Sequence, residues 1–526
     1  MNDEPNFNAL DRQFGHFIER LHGSAAPALR EAAMLVSRRR AEGHICIPIE
    51  ELGAALPQSS TIGTEDDFTP LVLDAGRLYL RRYWQYEQQL ARAILQSGAG
   101  LKKKPHTRGL NAQQIAARNA VTRNFSVITG GPGTGKTHTV RVILQFLREQ
   151  PGGAEFKIAL AAPTGKAAAR LTDALRDADA LEATTIHRLL GALPDSPYFR
   201  HNADRPLTAD VVIVDEASMV DLALMAKLVE AVPLTSRLIL LGDRDQLASV
   251  EAGNVLADIC AAAETTNSPL AGAVVQLQRN YRFAESGGIF KLSHAVNAGE
   301  AEAAVAALQS SDGEVRWQEL PAAQGLSESL RERVIAGYRA SLETTDPRAA
   351  LEQLSRFRIL AAVRHGPFGV ENLNSLAETI LAEAGLLDPR GGWYAGRPII
   401  ITRNDYNLPL FNGDSGIILP DPEADGALRA FFVSAEGKLR RFLPSRLPQH
   451  ETAFAMTVHK SQGSEFDRLL LILPAADSPL LTRELLYTAI TRARVAVELW
   501  CNAEIFRGAV QRRTVRTSGL RAALQS

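Results

Sequence analysis

A glycine-rich turn between a strand-like run and a helix-like run is the strongest chemical signal in the sequence, which reads FSVITGGPGTGKTHTV there. The turn matches GxxxxGK[ST], a spacing that directs successive backbone N–H groups towards a phosphate at a helix N-terminus. In this pattern Lys136 reaches the β- and γ-phosphates, and the hydroxyl of Thr137 is a ligand of Mg²⁺. The sequence therefore predicts an ATP site whose cradle consists of Gly130, Gly131, Pro132, Gly133, Thr134, Gly135, Lys136 and Thr137.

Two further apolar runs end in polar residues that suit phosphoryl transfer. VVIVDEAS brings Asp215 and Glu216 to a strand end, where open α/β sheets bind ligands. We predict that Asp215 holds Mg²⁺ together with Thr137, and that Glu216 is the base that orients the attacking water. RLILLGDRDQL places Gln246 where its amide can bond the γ-phosphate and that water. The structural alternatives are an acidic helix cap and a satisfied loop amide.

A third amide precedes the glycine-rich turn. LNAQQIAARNAV places Gln113 ahead of the strand that leads into the turn. An amide can pair with the edge of an adenine base, because it both donates and accepts hydrogen bonds. We therefore predict that Gln113 contacts the nucleotide base.

The pattern of apolar runs predicts the domain organisation. Strand-like and helix-like runs alternate from FSVITG to RLILLGD, and a second such series includes RFRILAAV and RLLLILP. This alternation predicts two doubly wound α/β domains with buried parallel sheets. Glycine-rich and β-rich residues between them predict a small antiparallel barrel, and helical spacing before them predicts a helical N-terminal domain. The predicted domains are 1–105 (helical), 106–275 (first α/β domain, with a hairpin insertion at about 191–209), 276–390 plus 451–526 (second α/β domain) and 391–450 (inserted barrel).

The N-terminal region ends in an aromatic cluster and a linker-like stretch. The cluster predicts a helix core or, alternatively, a docking face for a partner. The following SGAGLKKKPHTRG predicts a linker, because glycine and proline interrupt the helical pattern. The aromatic residues of the cluster are Tyr79, Tyr83, Trp84 and Tyr86.

The composition is that of an ordinary globular protein, with 526 residues, 45% apolar residues, 22% charged residues and a net charge of −1. Any nucleic-acid contact therefore requires a local basic surface. The cysteines Cys46, Cys260 and Cys501 are too far apart for a CxxC metal site and fit a reducing cytoplasm. The N-terminus is polar and acidic and no long apolar run follows, so we expect neither export nor membrane insertion.

The sequence carries, in this order, the motifs GGPGTGKT, APTGKAAARL, TIHRLL, VVIVDEASMVD, LLGDRDQLASV, LQRNYRF, TVHKSQGSEFD and LLYTAITRAR. Together they resemble the motif series of superfamily 1 helicases, over about residues 110–500. The stretch VRHGPFGVENLN makes the sequence similar to the RecD family, the α subunits of RecBCD enzymes (exodeoxyribonuclease V). The resemblance implies two RecA-like P-loop NTPase domains with ATP between them, single-stranded DNA across both, an SH3-like inserted barrel and an N-terminal domain that docks partners.

The resemblance also implies roles for residues outside the glycine-rich turn. Arg282 and Arg492 match the arginine fingers of the motifs, and Arg279 is the neighbouring alternative to Arg282. An arginine at a domain interface stabilises the transferring phosphoryl group only when the domains close, which couples hydrolysis to motion. The residues that the resemblance adds to the nucleotide site are Gln462, Gly463 and Glu465.

Three motifs carry candidate DNA contacts. Threonine and lysine suit contacts that hold phosphates without reading sequence, and histidine can stack on a base or pair with a phosphate. Each of these residues alone is equally a helix cap or a polar loop residue. The interval 192–207 resembles the position of a hairpin pin that splits duplex DNA, with Tyr198 and Phe199 as the wedge. The DNA-binding candidates are Thr164, Lys166, His187, Thr457, His459 and Lys460.

The function that the resemblance implies is an ATP-driven DNA helicase subunit that translocates 5′ to 3′. It would act on single-stranded DNA and duplex ends, together with RecB-like and RecC-like subunits, in double-strand-break repair. No nuclease metal cluster is recognisable, so we expect nuclease activity in a partner chain. The alternatives are a stand-alone superfamily 1 helicase, an RNA helicase and a structural subunit that binds ATP as a switch. Glu216 and Gln246 favour hydrolysis, because a pure binding module needs no water activation.

Overall fold

The computed structural model describes residues 7–98, 109–176, 181–193, 196–310, 313–405, 407–434 and 437–525. These residues form an N-terminal domain, two α/β domains and a sheet inserted into the second of them. Most of the predicted linker SGAGLKKKPHTRG lies outside the described residues. In the part of the chain that the structure describes, none of the helices is long and apolar enough to span a lipid bilayer.

The N-terminal domain is mixed rather than wholly helical. Its strands form one sheet of order β1-β4-β3-β2, which the prediction of a helical domain missed. The strands have only two to four residues, and RLYL, inside the region predicted to be helical, is a strand that runs directly into a helix. The elements are α1 (Ala9–His22), α2 (Pro27–Ala41), β1 (Cys46–Pro48), β2 (Ile62–Gly63), β3 (Leu71–Asp74), β4 (Arg77–Leu80) and α3 (Arg81–Gly98).

The first α/β domain is built on a six-stranded parallel sheet. Its elements are α4 (Ala112–Thr122), β5 (Phe125–Thr129), α5 (Lys136–Arg148), β6 (Ile158–Ala162), α6 (Gly165–Leu175), β7 (Ala183–Thr185), α7 (Ile186–Leu190), β8 (Val211–Val214), α8 (Leu222–Ala231), β9 (Arg237–Gly242), α9 (Val255–Ala263) and β10 (Val274–Gln276). The strand order is β10-β5-β9-β8-β6-β7. All residues of β5 and β8 are buried, because helices cover both faces of the sheet. The helix α3 packs on α8, and Trp84 of α3 is buried in the core together with Tyr79 of β4.

The second α/β domain has a five-stranded parallel sheet. Its elements before the insertion are α10 (Gly288–Ala298), α11 (Ala301–Gln309), β11 (Val315–Gln318), α12 (Leu326–Leu342), α13 (Pro347–Leu354), β12 (Phe357–Ala361) and α14 (Val370–Glu383). The inserted sheet consists of β13 (Pro398–Ile401), β14 (Ser415–Pro420), β15 (Leu428–Val433), β16 (Leu439–Phe442) and β17 (His450–Thr452). The domain then continues with β18 (Ala455–Thr457), β19 (Phe466–Ile472), α15 (Arg483–Ile490), β20 (Ala493–Trp500) and α16 (Ala503–Gln511), and the last helix of the chain is α17 (Leu520–Ala523). The strand order is β11-β20-β19-β12-β18. The two parallel sheets confirm the predicted α/β fold class.

The inserted segment is an antiparallel sheet of order β16-β15-β14-β13-β17. Its core contains Ile399, Ile418 and Phe432, which lie on neighbouring strands. The end strands β16 and β17 do not pair with each other among the described residues. The antiparallel character therefore agrees with the sequence, while closure into an SH3-like barrel stays a prediction.

The last residues of the chain do not stay with the second α/β domain, in contrast to the predicted boundary of 451–526. After α16 the chain crosses back, and α17 packs on α3 and α9. Leu520 and Leu524 are buried in the core that α3 shares with the first α/β domain. The backbone N–H of Ile45 donates to the Thr517 carbonyl at 2.8 Å. Burial of these two leucines is the physical reason for the return.

A nucleotide site between two domains

The glycine-rich turn joins the buried strand β5 to the N-terminus of α5. Gly133 and Gly135 have φ values of +80° and +84°, which side chains rarely adopt. A Cβ on Gly135 would also lie 2.3 Å from Nε2 of Gln113. Lys136 Nζ donates to the carbonyls of Gly130 and Gly131, at 2.6 and 3.1 Å. The turn is therefore a compact cradle that holds its lysine at the centre.

A cavity of about 370 Å³ opens on this cradle. The first α/β domain supplies the floor of the cavity and one wall. The opposite wall of the cavity is formed by the segment after β10 and by the motifs TVHKSQGSEFD and LLYTAITRAR of the second α/β domain. The predicted site residues that line the cavity are Pro132, Gly133, Gly135, Lys136, Thr137, Asp215, Glu216, Gln246, Arg282, Gly463, Glu465 and Arg492. The cavity thus lies between the two sheets.

The acidic pair follows β8 directly. Burial and the neighbouring Glu216 raise the pKa of Asp215, while Lys136 acts to lower it. The Glu216 N–H donates to Asp215 Oδ1 at 2.9 Å. Glu216 has φ +53°, a left-handed conformation that is costly for a residue with a side chain. Strained backbone conformations of this kind are typical of functional sites, where they fix the orientation of a side chain. Asp215 and Glu216 both line the cavity.

Glu465 is held by arginines from both sides of the cavity. Its Oε1 accepts from Arg282 Nη2 at 2.8 Å and pairs with Arg170 Nη2 at 2.7 Å. Burial acts to raise the pKa of Glu465, but Arg170 and Arg282 outweigh it and lower the pKa to about 2. Nη1 of Arg282 is buried and has no hydrogen-bond partner among the described residues. One guanidinium nitrogen is therefore left for an anion.

Arg282 lies in the segment that leaves β10, not on the body of the second α/β domain. The N–H of the preceding Tyr281 donates to the Gly133 carbonyl at 2.8 Å, so this segment runs along the cradle. Arg279, the alternative, places its guanidinium over the Tyr281 ring, 5.0 Å from the centroid, and does not line the cavity. Of the two arginines, Arg282 is the one that lines the cavity.

Arg492 and Gln462 come from the second α/β domain. Arg492 is 2% exposed, donates from Nε to the Thr488 carbonyl at 3.2 Å and lines the cavity. Burial lowers the pKa of Arg492. Gln462 Nε2 donates to the Leu247 carbonyl of the first domain at 2.9 Å. Gln462 therefore links the domains and does not itself line the cavity.

Two predicted nucleotide-site residues, Gln113 outside the cradle and Thr134 within it, form hydrogen bonds to the turn. Gln113 Nε2 lies 3.4 Å from the Thr134 carbonyl, at the start of α4. Thr134 Oγ1 donates to the Gly131 carbonyl at 2.8 Å. Both side chains thus stabilise the conformation of the glycine-rich turn, and neither lines the cavity.

The six DNA-binding candidates are mostly occupied by contacts within the protein. Lys166 Nζ donates to Ser464 Oγ at 2.8 Å, and Lys460 Nζ pairs with Glu451 at 2.7 Å. Thr164 caps α6, and Thr457 accepts from the Lys460 N–H at 3.3 Å. Burial lowers the pKa values of the other two candidates, which are His187 and His459.

The proposed pin shows an antiparallel bridge between Ala192 and Phe199. Phe199 does not point outwards, because it packs against His187 at a ring distance of 5.6 Å and against the core. Tyr198 is 66% exposed. This packing favours Tyr198 over Phe199 as a contact for an external ligand, and a wedge formed by both aromatic residues stays a prediction.

Sequence reasoning missed Arg170, which lines the cavity. It lies four residues after Lys166 on α6, so the two side chains share one helix face. The motif APTGKAAARL contained this signal, since Lys166 was already a candidate. The three cysteines are free and buried, and groups of three or more metal-binding side chains are absent from the described ranges.

Two α/β domains with parallel sheets enclose a cavity that is lined by a glycine-rich cradle, an acidic pair and arginines. This arrangement defines a P-loop ATPase of the two-domain helicase class. Residues 113–252 match the AAA domain family, 452–499 the UvrD-like helicase C-terminal domain, and 4–56 the N-terminal domain of RecBCD enzyme subunit RecD. The chain belongs to the RecD family of RecBCD enzyme subunits.

Three relatives illustrate this membership. RecBCD enzyme subunit RecD of Mycolicibacterium smegmatis is 41% identical over 95% of this chain and 92% of its own length. The corresponding subunit of Haemophilus influenzae is 33% identical, over 90% of this chain and 84% of its own. The ATP-dependent RecD2 DNA helicase of Deinococcus radiodurans is 34% identical, over 82% of this chain but only 57% of its own length. The chain thus covers more than four fifths of both RecD subunits but little more than half of the RecD2 helicase.

Proposed function

We propose that this chain is the ATP-hydrolysing 5′ to 3′ DNA helicase subunit of a RecBCD-type complex that processes double-strand breaks in the cytoplasm. The observation that carries the proposal is the cavity between the two α/β domains, which joins a phosphate cradle, Asp215, Glu216 and the side chains of Arg282 and Arg492. An interface site of this kind links each hydrolysis event to a change in domain separation. Similarity to a RecD subunit over 95% of this chain supports RecB-like and RecC-like partners, with nuclease activity in a partner chain.

The residues present fit a magnesium ion beside the nucleotide. Two adjacent carboxyl groups, Asp215 and Glu216, face the cradle, and burial raises the pKa of Asp215, a cost that a cation offsets. We propose that the Thr137 hydroxyl and Asp215 hold Mg²⁺. When bound, the ion neutralises charge on the β- and γ-phosphates.

The remaining groups act on the γ-phosphate and the attacking water. Lys136 leaves the carbonyls of the cradle for the phosphates, because a phosphate offers it a charge-assisted bond. Glu216 accepts a proton from the water, and Gln246 orients it. Arg282 and Arg492 stabilise the charge that develops on the transferring group. All five of these residues line the cavity.

We propose that single-stranded DNA passes over the loop that carries Thr457, His459 and Lys460. Lys460 is half-buried and paired with Glu451. A DNA phosphate competes with this carboxylate for the ammonium group, since both are anions. Affinity for DNA should therefore fall steeply as salt concentration rises.

The test measures ATP turnover by the purified chain, with and without single-stranded DNA, and unwinding of 5′-tailed and 3′-tailed duplexes. Stimulation by DNA with unwinding only from the 5′ tail supports the proposal. Lys136→Ala should abolish turnover and leave the fold intact. Parent-level turnover in that variant would show that the site assignment is wrong.

The alternative outcomes identify the rival functions. A monomer by size exclusion that unwinds without partners supports a stand-alone helicase, and RNA stimulation in place of DNA stimulation supports an RNA helicase. Retained ATP without turnover, both alone and in the complex with co-purified partners, supports a structural switch and contradicts the proposal. Turnover that appears only in the complex supports an obligate subunit.

A further inference from the structure

Tyr487 reaches from α15 of the second α/β domain into the wall of the nucleotide site. Its side chain is 7% exposed, and its hydroxyl donates to Asp243 Oδ2 of the first domain at 3.1 Å. A Cβ on Gly131 of the cradle would lie 2.5 Å from the hydroxyl oxygen. Tyr487 therefore occupies space that only a glycine in the cradle leaves open.

Asp243 connects this tyrosine to Gln246. The same oxygen, Oδ2, accepts from Gln246 Nε2 at 3.1 Å, and Oδ1 accepts from the Asp245 N–H at 3.1 Å. Burial raises the pKa of Asp243 to about 6, so the carboxyl is ionised at neutral pH. Because an ionised carboxylate only accepts hydrogen bonds, Gln246 must turn its NH₂ group towards it. The amide oxygen of Gln246 is then left for the cavity.

The loop of residues 243–247 has two more bonds to the second domain. The Leu247 N–H donates to Thr488 Oγ1 at 2.9 Å, and the Leu247 carbonyl accepts from Gln462 at 2.9 Å. The Thr488 carbonyl in turn accepts from Arg492. One stretch around the end of α15 thus holds both the loop with Gln246 and the side chain of Arg492.

We propose that Tyr487 is a positioning residue for ATP hydrolysis. Through Asp243, its hydroxyl fixes the amide of Gln246 with the oxygen towards the attacking water, and it does so only while the two domains are closed. When the domains separate, the hydroxyl leaves Asp243, so the carboxylate that orients the Gln246 amide is no longer held in place from the second domain. Hydrolysis is thereby restricted to the closed form. This inference rests on the proposed ATPase function.

The test compares Tyr487→Phe with the parent in full-length protein, in whichever preparation, chain or complex, the parent hydrolyses ATP. The matched control is Tyr394→Phe, which removes a buried tyrosine hydroxyl that donates to a carboxylate, Glu378, away from the cavity. We expect kcat to fall about tenfold, the effect of losing one hydrogen bond to a charged group. KM for ATP should change less than about twofold, because the cradle is intact. The control should retain the kcat of the parent.

A double-mutant cycle separates positioning from a structural effect. In a Gln246→Ala background the amide is gone, so Tyr487→Phe should lower the residual rate less than about twofold. Asp243→Asn, a nearly isosteric change, gives a second route, because its NH₂ group turns the Gln246 amide around and should lower kcat at least as far as Tyr487→Phe. A tenfold loss that persists without Gln246, or parent-level kcat in Tyr487→Phe, overturns the inference. Absence of turnover in every preparation of the parent instead overturns the proposed function.

Discussion

Lys166 Nζ, on α6 of the first α/β domain, donates to Ser464 Oγ of the second at 2.8 Å. Burial lowers the pKa of Lys166 to about 8, and Asp414 of the inserted sheet acts in the opposite direction. The lysine thus lies where three parts of the protein meet, and its charge is costly there. A costly buried charge that forms a cross-domain bond indicates a functional group rather than a stabilising one.

We predict that Lys166→Met raises thermal stability at neutral pH by about 1–2 kcal/mol while weakening stimulation by DNA. The folded state lowers the pKa of Lys166 from 10.5 to about 8, so it disfavours the charged form. The contribution of Lys166 to the free energy of unfolding therefore increases as pH rises from 8 to 10.5. The increase in the free energy of unfolding of Lys166→Met over the parent should be largest at pH 7 and should shrink above pH 8. Thermal unfolding of both proteins at several pH values measures this difference. A Lys166→Met variant that is less stable than the parent at pH 7 would contradict the prediction of increased stability.

Glu465→Gln should lower kcat about tenfold, because Arg170 and Arg282 lose a shared anion across the cavity. The folded state lowers the pKa of Glu465 to about 2, so its contribution to stability is present above about 4.5 and is lost as pH falls through 2. The loss of activity should therefore be the same at pH 6 and pH 8. The control is Glu302→Gln, which breaks the exposed pair with Arg507 and should leave kcat unchanged. Equal kcat values in both variants would contradict a role in hydrolysis for the Glu465 ion pairs at the cavity.

Gly131→Ala should impair hydrolysis without unfolding the protein. The backbone of Gly131 is not in the left-handed region, so alanine fits the conformation. The new methyl group would instead displace the Tyr487 hydroxyl, 2.5 Å away. We expect a kcat reduced by about tenfold, measured by steady-state turnover. Gly508→Ala, a helical glycine with open space around it, is the control and should behave like the parent.

The return of the C-terminal residues predicts a pH-dependent opening. Asp258 of α9 faces Ser518 and Arg521 of these residues and Glu87 of α3, and burial raises its pKa from 3.8 to about 7. Its contribution to stability is therefore complete below about 3.8 and is lost as pH rises through 7. Hydrogen exchange of residues 512–525, corrected for the intrinsic pH effect, should accelerate between pH 6 and pH 8. Asp258→Asn should remove this acceleration, and an unchanged profile would argue against the assignment.

The nucleotide site was predictable because its signals are local. The spacing from Gly130 to Thr137 and the polar residues that end β8 and β9 lie within short windows, and parallel strands bring their carboxyl ends together. The contact between Asp243 and Tyr487 joins residues 244 positions apart. Only the packing of the two domains creates it, so no window of sequence reveals it.

The N-terminal sheet escaped prediction for a different reason. Strands of two to four residues are too short to show an alternating pattern, and β4 continues into α3 without a turn residue. The orientation of Phe199 depended on the core beneath it, which the aromatic pair alone did not indicate.

The second α/β domain is joined to the rest of the chain at both of its ends. The segment after β10 binds the cradle, and the residues after α16 bind Ile45 and the Gly253 carbonyl of the first α/β domain. A body attached at two points turns most easily about the line through them, whereas sliding or twisting stretches one attachment. We therefore expect the ATP cleft to open by rotation about a single axis, and we expect cleavage of the peptide chain between α16 and α17 to permit other relative motions of the two domains.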